Sequence, residues 1–79
     1  MINTYQEFIE VYENEILSAF DDLTIELMTC DRMYLGEIKE YLEDSHSIYL
    51  SFNDIIFYLN SHSEILYYKD YHFAVYFPF

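Results

Sequence analysis

Two short polar stretches, Ser45-His46-Ser47 and Ser61-His62-Ser63, place hydroxyl groups beside an imidazole base. Nucleophilic catalysis needs the two side chains in hydrogen-bond contact, and a third group that orients the base. Side chains of sequence neighbours rarely point at one another, and carboxylates are too abundant here for any pair to stand out. The sequence therefore predicts polar turns at both stretches, with no catalytic residue and no enzyme activity.

The cysteine and the histidines do not match the spacing of a metal site. Cys30 is followed by Asp31 in an acidic stretch, whereas reactive cysteines lie in electropositive surroundings. His46, His62 and His72 are widely separated, but structural zinc sites use closely spaced pairs of Cys or His. The acids form no calcium-type loop with a central glycine. We therefore expect no bound metal and no cofactor.

The charge balance restricts the partners more strongly than any motif does. Fifteen Asp and Glu stand against three Lys and Arg, which gives a net charge of −12. A protein that binds phosphates directly needs Lys or Arg to release counterions. The sequence therefore predicts no direct binding of nucleic acid or of an anionic membrane surface. It favours a basic protein surface as the partner.

Length and composition indicate one aromatic-rich domain that spans residues 1–79. A chain of 79 residues leaves little room for a second domain. Aromatic residues make up 22% of the chain, which exceeds what a small core holds, so some tyrosines are expected on the surface. Tyrosine is enriched among the residues that dominate binding energy at protein interfaces.

The first residues and the single cysteine bear on the cellular compartment. The start, MINTYQEFIE, has neither the basic nor the apolar region of a signal peptide. Cys30 has no internal disulfide partner, and no apolar run approaches the roughly 20 residues of a membrane helix. A reducing cytoplasm is the expected location, with no membrane partner.

An apolar stripe predicts a first helix that begins near Thr4, where Glu7 completes a capping box. Its members recur at spacings of three and four residues: Tyr5, Ile9, Tyr12, Ile16, Phe20, Leu23 and Leu27. Val11 and Ile25 lie on the opposite half of this helix. Either these two residues contact a partner, or the helix breaks near residues 21–22.

Two further helices follow. The second is predicted from Leu35 to about Glu43, with inward-facing residues Leu35, Ile38 and Leu42 and with Tyr41 beside them. Residues 48–50 read Ile-Tyr-Leu and suggest a short strand. The third helix is predicted from Ser51, which pairs with Asp54 in a second capping box, to Leu59. Its predicted buried stripe is Phe52, Ile55, Ile56 and Leu59.

The C-terminal part predicts a β-hairpin. Two aromatic and β-branched runs, residues 65–68 and 73–77, flank the polar turn 69–72, and Pro78 ends the second run. The predicted fold class is mainly α with a small β element (α+β), in which three helices precede a C-terminal hairpin.

Residues 34–76 resemble a winged-helix domain in the order of their elements. Leu35-Gly36-Glu37-Ile38 resembles the start of that family's second helix, residues 51–59 its recognition helix, and residues 66–77 its wing. The resemblance implies a winged-helix-like fold. DNA binding is not expected to accompany it, because the predicted exposed positions of the recognition helix carry no basic residue: Asn53, Asp54, Phe57, Tyr58 and Asn60.

The acidic helical residues have two interpretations. They can be a solvated surface that keeps an aromatic-rich chain in solution. Alternatively, acids three or four residues apart lie about 5–6 Å apart on a helix, comparable with successive phosphates of a nucleic acid strand. In size, charge and aromatic content the chain resembles the small acidic inhibitors of phages and mobile elements, including anti-CRISPR and anti-restriction proteins. That resemblance implies DNA mimicry against a basic nucleic-acid-binding protein or complex.

The predicted function is a non-enzymatic inhibitor of a nucleic-acid-handling system. The alternative is a winged-helix transcription regulator or a dimeric adaptor. The tyrosines of the wing either pack on the first helix or cover a second copy of the chain, so a homodimer remains open. The residues predicted to bind the partner are Glu7, Glu10, Asp21, Asp22, Glu37, Glu40, Glu43, Tyr58, Tyr67 and Tyr71.

Overall fold

The structure is a computed structural model that describes the backbone of residues 5–78 and the side chains of residues 12–78. Its elements follow in the order α1 (Tyr5–Thr29), β1 (Met33–Tyr34), α2 (Leu35–His46), α3 (Phe52–Ser61), β2 (Ile65–Tyr68) and β3 (Phe73–Tyr76). The predicted three helices and C-terminal hairpin are confirmed. The predicted capping box of Thr4 and Glu7 falls outside the described residues.

Helix α1 continues without a break through residues 21–22, so the predicted break there is wrong. Non-helical dihedral angles occur instead at Tyr12, with φ −108° and ψ 18°. Asp21 and Asp22 both lie on the exposed side, where two adjacent acids do not interrupt the backbone hydrogen bonds. The predicted stripe is buried at its later positions, which are Ile16, Phe20, Leu23 and Leu27.

Helix α2 begins and ends with specific backbone contacts. The Glu37 carboxylate accepts a hydrogen bond from the backbone N–H of Tyr34 at 2.9 Å, which satisfies a donor at the helix start. The helix ends at His46, three residues beyond the predicted end. Ser47 then adopts the left-handed conformation with φ 54°, and its N–H donates to the Glu43 carbonyl. Ile38 and Leu42 are buried, as predicted.

Helix α3 has the predicted N-terminus but a different rotation. The Ser51 hydroxyl oxygen accepts from the Asp54 backbone N–H at 3.3 Å and donates to the Asp54 carboxylate at 2.8 Å. The helix buries Ile55, Tyr58 and Leu59, whereas Phe52 is 47% exposed. The predicted burial of Phe52 and the predicted exposure of Tyr58 are therefore both wrong.

Residues 48–50 connect α2 to α3 without forming the predicted strand. Ile48 and Leu50 are buried while Tyr49 between them is exposed, so the alternation of a strand is present. Residues 48–50 are not part of the sheet, whose three strands are β1, β3 and β2. The Leu50 carbonyl accepts a hydrogen bond from the Lys39 ammonium group instead.

The sheet is antiparallel, three-stranded and ordered β1-β3-β2. The short strand β1 was not predicted, because two residues carry too little periodicity to detect. In the strand register, Ala74 of β3 lies opposite Met33 of β1 and Tyr67 of β2. These three residues face the helices. Phe73 is the shared partner of Tyr34 and Tyr68, which lie on the opposite face of the sheet.

The core lies between α1, α2, α3 and the inner face of the sheet. Its largest fully buried side chains are Ile16, Phe20, Leu23, Leu27, Ile38, Leu42, Leu50, Ile55 and Leu59. Among the helices of the described residues, none combines the length and the hydropathy needed to cross a bilayer.

Candidate protein-binding surfaces

The predicted acidic residues of α1 are partly engaged within the chain. The Asp21 carboxylate lies 3.1 Å from Nε2 of His62, and the Asp22 carboxylate lies 3.5 Å from Nε2 of His46. Both carboxylates nevertheless stay largely exposed, with side-chain exposures of 73% and 53%. They can therefore still present charge to a partner. The side chains of Glu7 and Glu10 lie outside the described residues.

Two of the three predicted glutamates of α2 also have structural roles. Glu37 caps the helix through the Tyr34 backbone N–H. Glu43 lies 3.1 Å from the Lys39 ammonium group, one turn away. Glu40 is exposed. The net negative charge that α2 offers to a partner therefore comes mainly from Glu37 and Glu40, together with Asp44, which the sequence interpretation did not single out.

A shallow surface depression brings these three carboxylates together. It is lined by Glu37, Glu40 and Asp44 together with Met33, Tyr41 and Ser45. The acids lie at positions i, i+3 and i+7 of α2, which is one face of a helix. The sequence signal that could have identified Asp44 is this spacing. A depression lined by carboxylates and apolar side chains offers contacts for both parts of a lysine or arginine side chain, whose stem is apolar and whose end is cationic.

The ionisation of Tyr41 reports the negative charge around α2. Burial raises the pKa of the Tyr41 hydroxyl above its ordinary value of 10.0, and the nearby carboxylates of Asp22 and Glu26 raise it further. The Coulombic contributions come from α1. They indicate that α1 places negative charge close to Tyr41 of α2.

The basic residues do not form a surface that could receive phosphates. Lys39 contacts Glu43 and the Leu50 carbonyl, and the Arg32 guanidinium lies 4.8 Å from the centre of the Phe73 ring. Lys69 is exposed in the β2–β3 turn beside Asp70. Of the three Lys and Arg residues, Lys39 and Arg32 therefore already make intramolecular contacts.

The predicted tyrosines differ in how much of each side chain a partner could contact. Tyr67 lies on the inner face against the core, and its hydroxyl is buried without a hydrogen-bond partner among the described residues. Tyr76 also packs against the core. Tyr58 is only 8% exposed, with its ring 5.3 Å from that of Phe20, so its hydroxyl and ring offer little to a partner. Tyr71 is 67% exposed.

An exposed aromatic cluster surrounds Phe73, and Tyr71 is the one member of it among the residues predicted to bind the partner. The ring of Phe73 lies 5.6 Å from that of Tyr34, 5.0 Å from that of Tyr68 and 6.0 Å from that of Tyr71. Arg32 covers the same ring. The alternation of side chains along the hairpin could have assigned Tyr68 and Phe73 to one face, but Tyr34 joins them only through β1.

The environment of His62 does not form a catalytic relay. Its Nε2 lies 3.3 Å from the Thr24 hydroxyl and 3.1 Å from the Asp21 carboxylate, while Nδ1 accepts a hydrogen bond from the Glu64 backbone N–H. A relay requires the nucleophile and the orienting acid on different ring nitrogens. Thr24 is also 3% exposed and donates its proton to the Phe20 carbonyl. This histidine therefore joins α1 to the end of α3.

The described residues contain no group of three or more His, Cys, Asp or Glu side chains placed to hold a metal ion.

No protein family, curated protein or solved structure matches the chain.

Proposed function

We propose that this chain is a non-enzymatic inhibitor that binds a basic nucleic-acid-handling protein through the acidic surface of α1 and α2. The observation that carries the proposal is the acidic depression lined by Glu37, Glu40 and Asp44 together with Met33 and Tyr41. A basic groove that normally receives phosphates presents Lys and Arg side chains, which are complementary in charge to this depression.

The charge distribution supports a protein partner over nucleic acid itself. The chain carries a net charge of −12, and two of its three Lys and Arg residues are engaged in internal contacts. Electrostatic attraction to a basic surface raises the association rate and falls as salt is added. Inhibition by competition for a nucleic-acid groove therefore follows from the same carboxylates that oppose direct DNA binding.

A pair of matched charge-reversal variants tests the proposal. Glu40→Lys with Asp44→Lys changes two acids of the depression, and Glu64→Lys with Asp70→Lys makes the same charge change at exposed acids outside α1 and α2. The variants and the parent chain are used in pull-downs from host lysate at low and high salt, with and without competitor DNA, and captured proteins are identified by mass spectrometry.

We expect the parent chain and the Glu64/Asp70 variant to capture a nucleic-acid-binding protein that competitor DNA displaces. We expect the Glu40/Asp44 variant to lose that capture. If capture persists unchanged in the Glu40/Asp44 variant, or is unaffected by competitor DNA, the acidic surface is not the binding site.

The second candidate is a winged-helix regulator or adaptor, and the element order favours it. Three helices followed by a hairpin resemble the layout of that family, and α1, α2, α3, β2 and β3 occur in this order along the chain. Against DNA recognition, the exposed residues of α3 include Phe52, Phe57 and Asn53, but no Lys or Arg. A specific mobility shift of duplex DNA by the chain alone would favour the regulator over the inhibitor.

A further inference from the structure

The outer face of the sheet is apolar where an open antiparallel sheet is usually polar. One row across the strands consists of Tyr34, Phe73 and Tyr68, and the next pairs Leu66 with Val75. Antiparallel sheets with one solvated face normally alternate apolar residues inward with polar residues outward. Here the apolar residues continue on both faces, so the outer face has the composition of a contact surface.

The exposed area of this face is substantial for a small domain. Tyr34 is 48% exposed, Tyr68 40% and Tyr71 67%. Taking about 200 Å² for each aromatic side chain, the three tyrosines alone expose roughly 300 Å². Contiguous apolar patches of this size on a monomer often mark an interaction site.

The charges around this face are balanced, in contrast to the rest of the molecule. Arg32 lies over Phe73, and Asp31 precedes it in the chain; Lys69 and Asp70 lie together in the β2–β3 turn. These four residues carry two charges of each sign, in a chain with a net charge of −12. A twofold contact can therefore place positive groups of one copy against negative groups of the other.

From this apolar, self-complementary surface we infer that the outer face of the sheet binds a second copy of the chain. The dimer stacks two sheets face to face, about 10 Å apart, as the layers of a β-sandwich do. The helices pack on the inner face of each sheet, so they lie on the far sides of the dimer. This arrangement keeps the strongly acidic helices of the two copies apart.

A stable dimer through this face needs more surface than the three tyrosines expose. A stable interface buries about 800 Å² on each partner. The tyrosines form the centre of the surface with roughly 300 Å², and Leu66, Val75, the stem of Arg32 and the turn between β2 and β3 would contribute the surrounding area. A bare nucleic acid strand is a poorer occupant of the aromatic rings, because the net charge of the chain repels phosphates.

The test compares two variants by sedimentation equilibrium from micromolar to millimolar concentration. We expect the parent chain to reach twice its 9.7 kDa monomer mass. Tyr68→Lys should weaken the dimer by at least about tenfold, because the substitution places a charge in the centre of the interface. The matched control Tyr49→Lys changes a tyrosine that is 60% exposed outside the sheet, and should leave the dimer unchanged.

A second measurement uses the unmodified chain to locate the interface, so its result does not depend on whether a variant folds. Amide chemical shifts recorded on dilution should change at Tyr34, Tyr68 and Phe73. A parent chain that stays monomeric at millimolar concentration overturns the inference. So do dilution shifts confined to α2, or a monomer that binds single-stranded DNA through Tyr68.

The dimer and the proposed inhibitor function can fail separately. Tyr68→Lys leaves the α2 carboxylates in place and should still capture the basic partner. The Glu40/Asp44 variant leaves the sheet in place and should still dimerise.

Discussion

Asp21 and Asp22 are neighbours on α1, but their carboxylates contact different helices. Asp21 lies 3.1 Å from His62, which caps the end of α3, and Asp22 lies 3.5 Å from His46, the last residue of α2. Successive helical residues point about 100° apart, so one pair of acids can reach both sides of α1. The two contacts fix the C-terminal ends of α2 and α3 against the same turn of α1.

Each of these contacts should contribute little to the free energy of unfolding. Asp21→Asn and Asp22→Asn are expected to lower it by less than about 1 kcal/mol each, because both carboxylates are more than half exposed and solvent screens the pairs. Urea unfolding of each variant checks this, with Asp31→Asn as the control at an exposed acid outside the helices. A loss above about 2 kcal/mol would show that the pairs act as buried contacts.

The packing of Phe20 against Tyr58 should matter far more. Phe20 is 1% exposed, and Phe20→Ala is expected to cost about 3–5 kcal/mol because it leaves a cavity in the core. Phe57→Ala removes the same side chain from a position that is 62% exposed, and should change the free energy of unfolding by less than about 0.5 kcal/mol. Equal losses in thermal or urea unfolding would contradict the assignment of Phe20 to the core.

The start of α3 depends on a single hydroxyl. Ser51→Ala removes the acceptor of the Asp54 backbone N–H and should lower the free energy of unfolding by about 1 kcal/mol. Ser51→Thr keeps a hydroxyl that can accept from the Asp54 backbone N–H and donate to the Asp54 carboxylate, and should recover most of that loss. Ser63→Ala, at an exposed turn residue, is the control. If Ser51→Ala and Ser63→Ala have equal effects in urea unfolding, the cap does not stabilise the helix.

These outcomes separate what the sequence could predict from what it could not. The start of α3 was predictable because Ser51 and Asp54 are three residues apart and the contact is local. The rotation of α3, which buries Tyr58 and exposes Phe52, depends on tertiary contacts such as that of Tyr58 with Phe20 of α1, which no local pattern determines. The pairing of Asp21 with His62 spans 41 residues, so the sequence alone could not show that a predicted binding residue also has an intramolecular contact.

The same distinction applies to the aromatic surface. The hairpin was predictable from its two apolar runs and their polar turn. Whether its outer face stayed aromatic across the sheet depended on β1, which supplies Tyr34, and β1 has only two residues. The acidic depression was partly predictable, because Glu37 and Glu40 follow helical spacing, but Met33 reaches it from β1.

Two tyrosines should make the fold sensitive to alkaline pH. Burial raises the pKa of Tyr41 and Tyr58 above 10.0, and nearby carboxylates raise both further: Asp22 and Glu26 for Tyr41, Glu13 and Asp54 for Tyr58. The unfolded chain therefore releases these protons at a lower pH than the folded chain. The contribution of the neutral tyrosines to stability is complete below pH 10 and is lost as pH rises through the higher folded pKa values.

Urea unfolding across the alkaline range checks this pH dependence, and tyrosinate absorbance follows the ionisation directly. We expect the free energy of unfolding to fall above pH 10, and the fall to be smaller in a Tyr41→Phe, Tyr58→Phe double variant. Tyr49→Phe, at an exposed position, is the control. If the double variant loses stability with pH as steeply as the control, other groups cause the alkaline sensitivity.

Tyr67 offers a substitution that should stabilise the fold. Its hydroxyl is buried without a hydrogen-bond partner among the described residues, while its ring packs against the core. A buried polar group that forms no hydrogen bond costs about 1–3 kcal/mol in lost hydration. Tyr67→Phe keeps the ring and removes this cost, so we expect the free energy of unfolding to rise by about 1 kcal/mol in urea unfolding.

The matched control is Tyr71→Phe on the exposed end of the same hairpin, where the hydroxyl stays hydrated and its removal should have little effect. Tyr67→Ala should instead destabilise the chain, because it removes the ring as well as the hydroxyl. If Tyr67→Phe is destabilising, the hydroxyl has a partner in solution, and an ordered water bound at the inner face of the sheet would be the first explanation to examine.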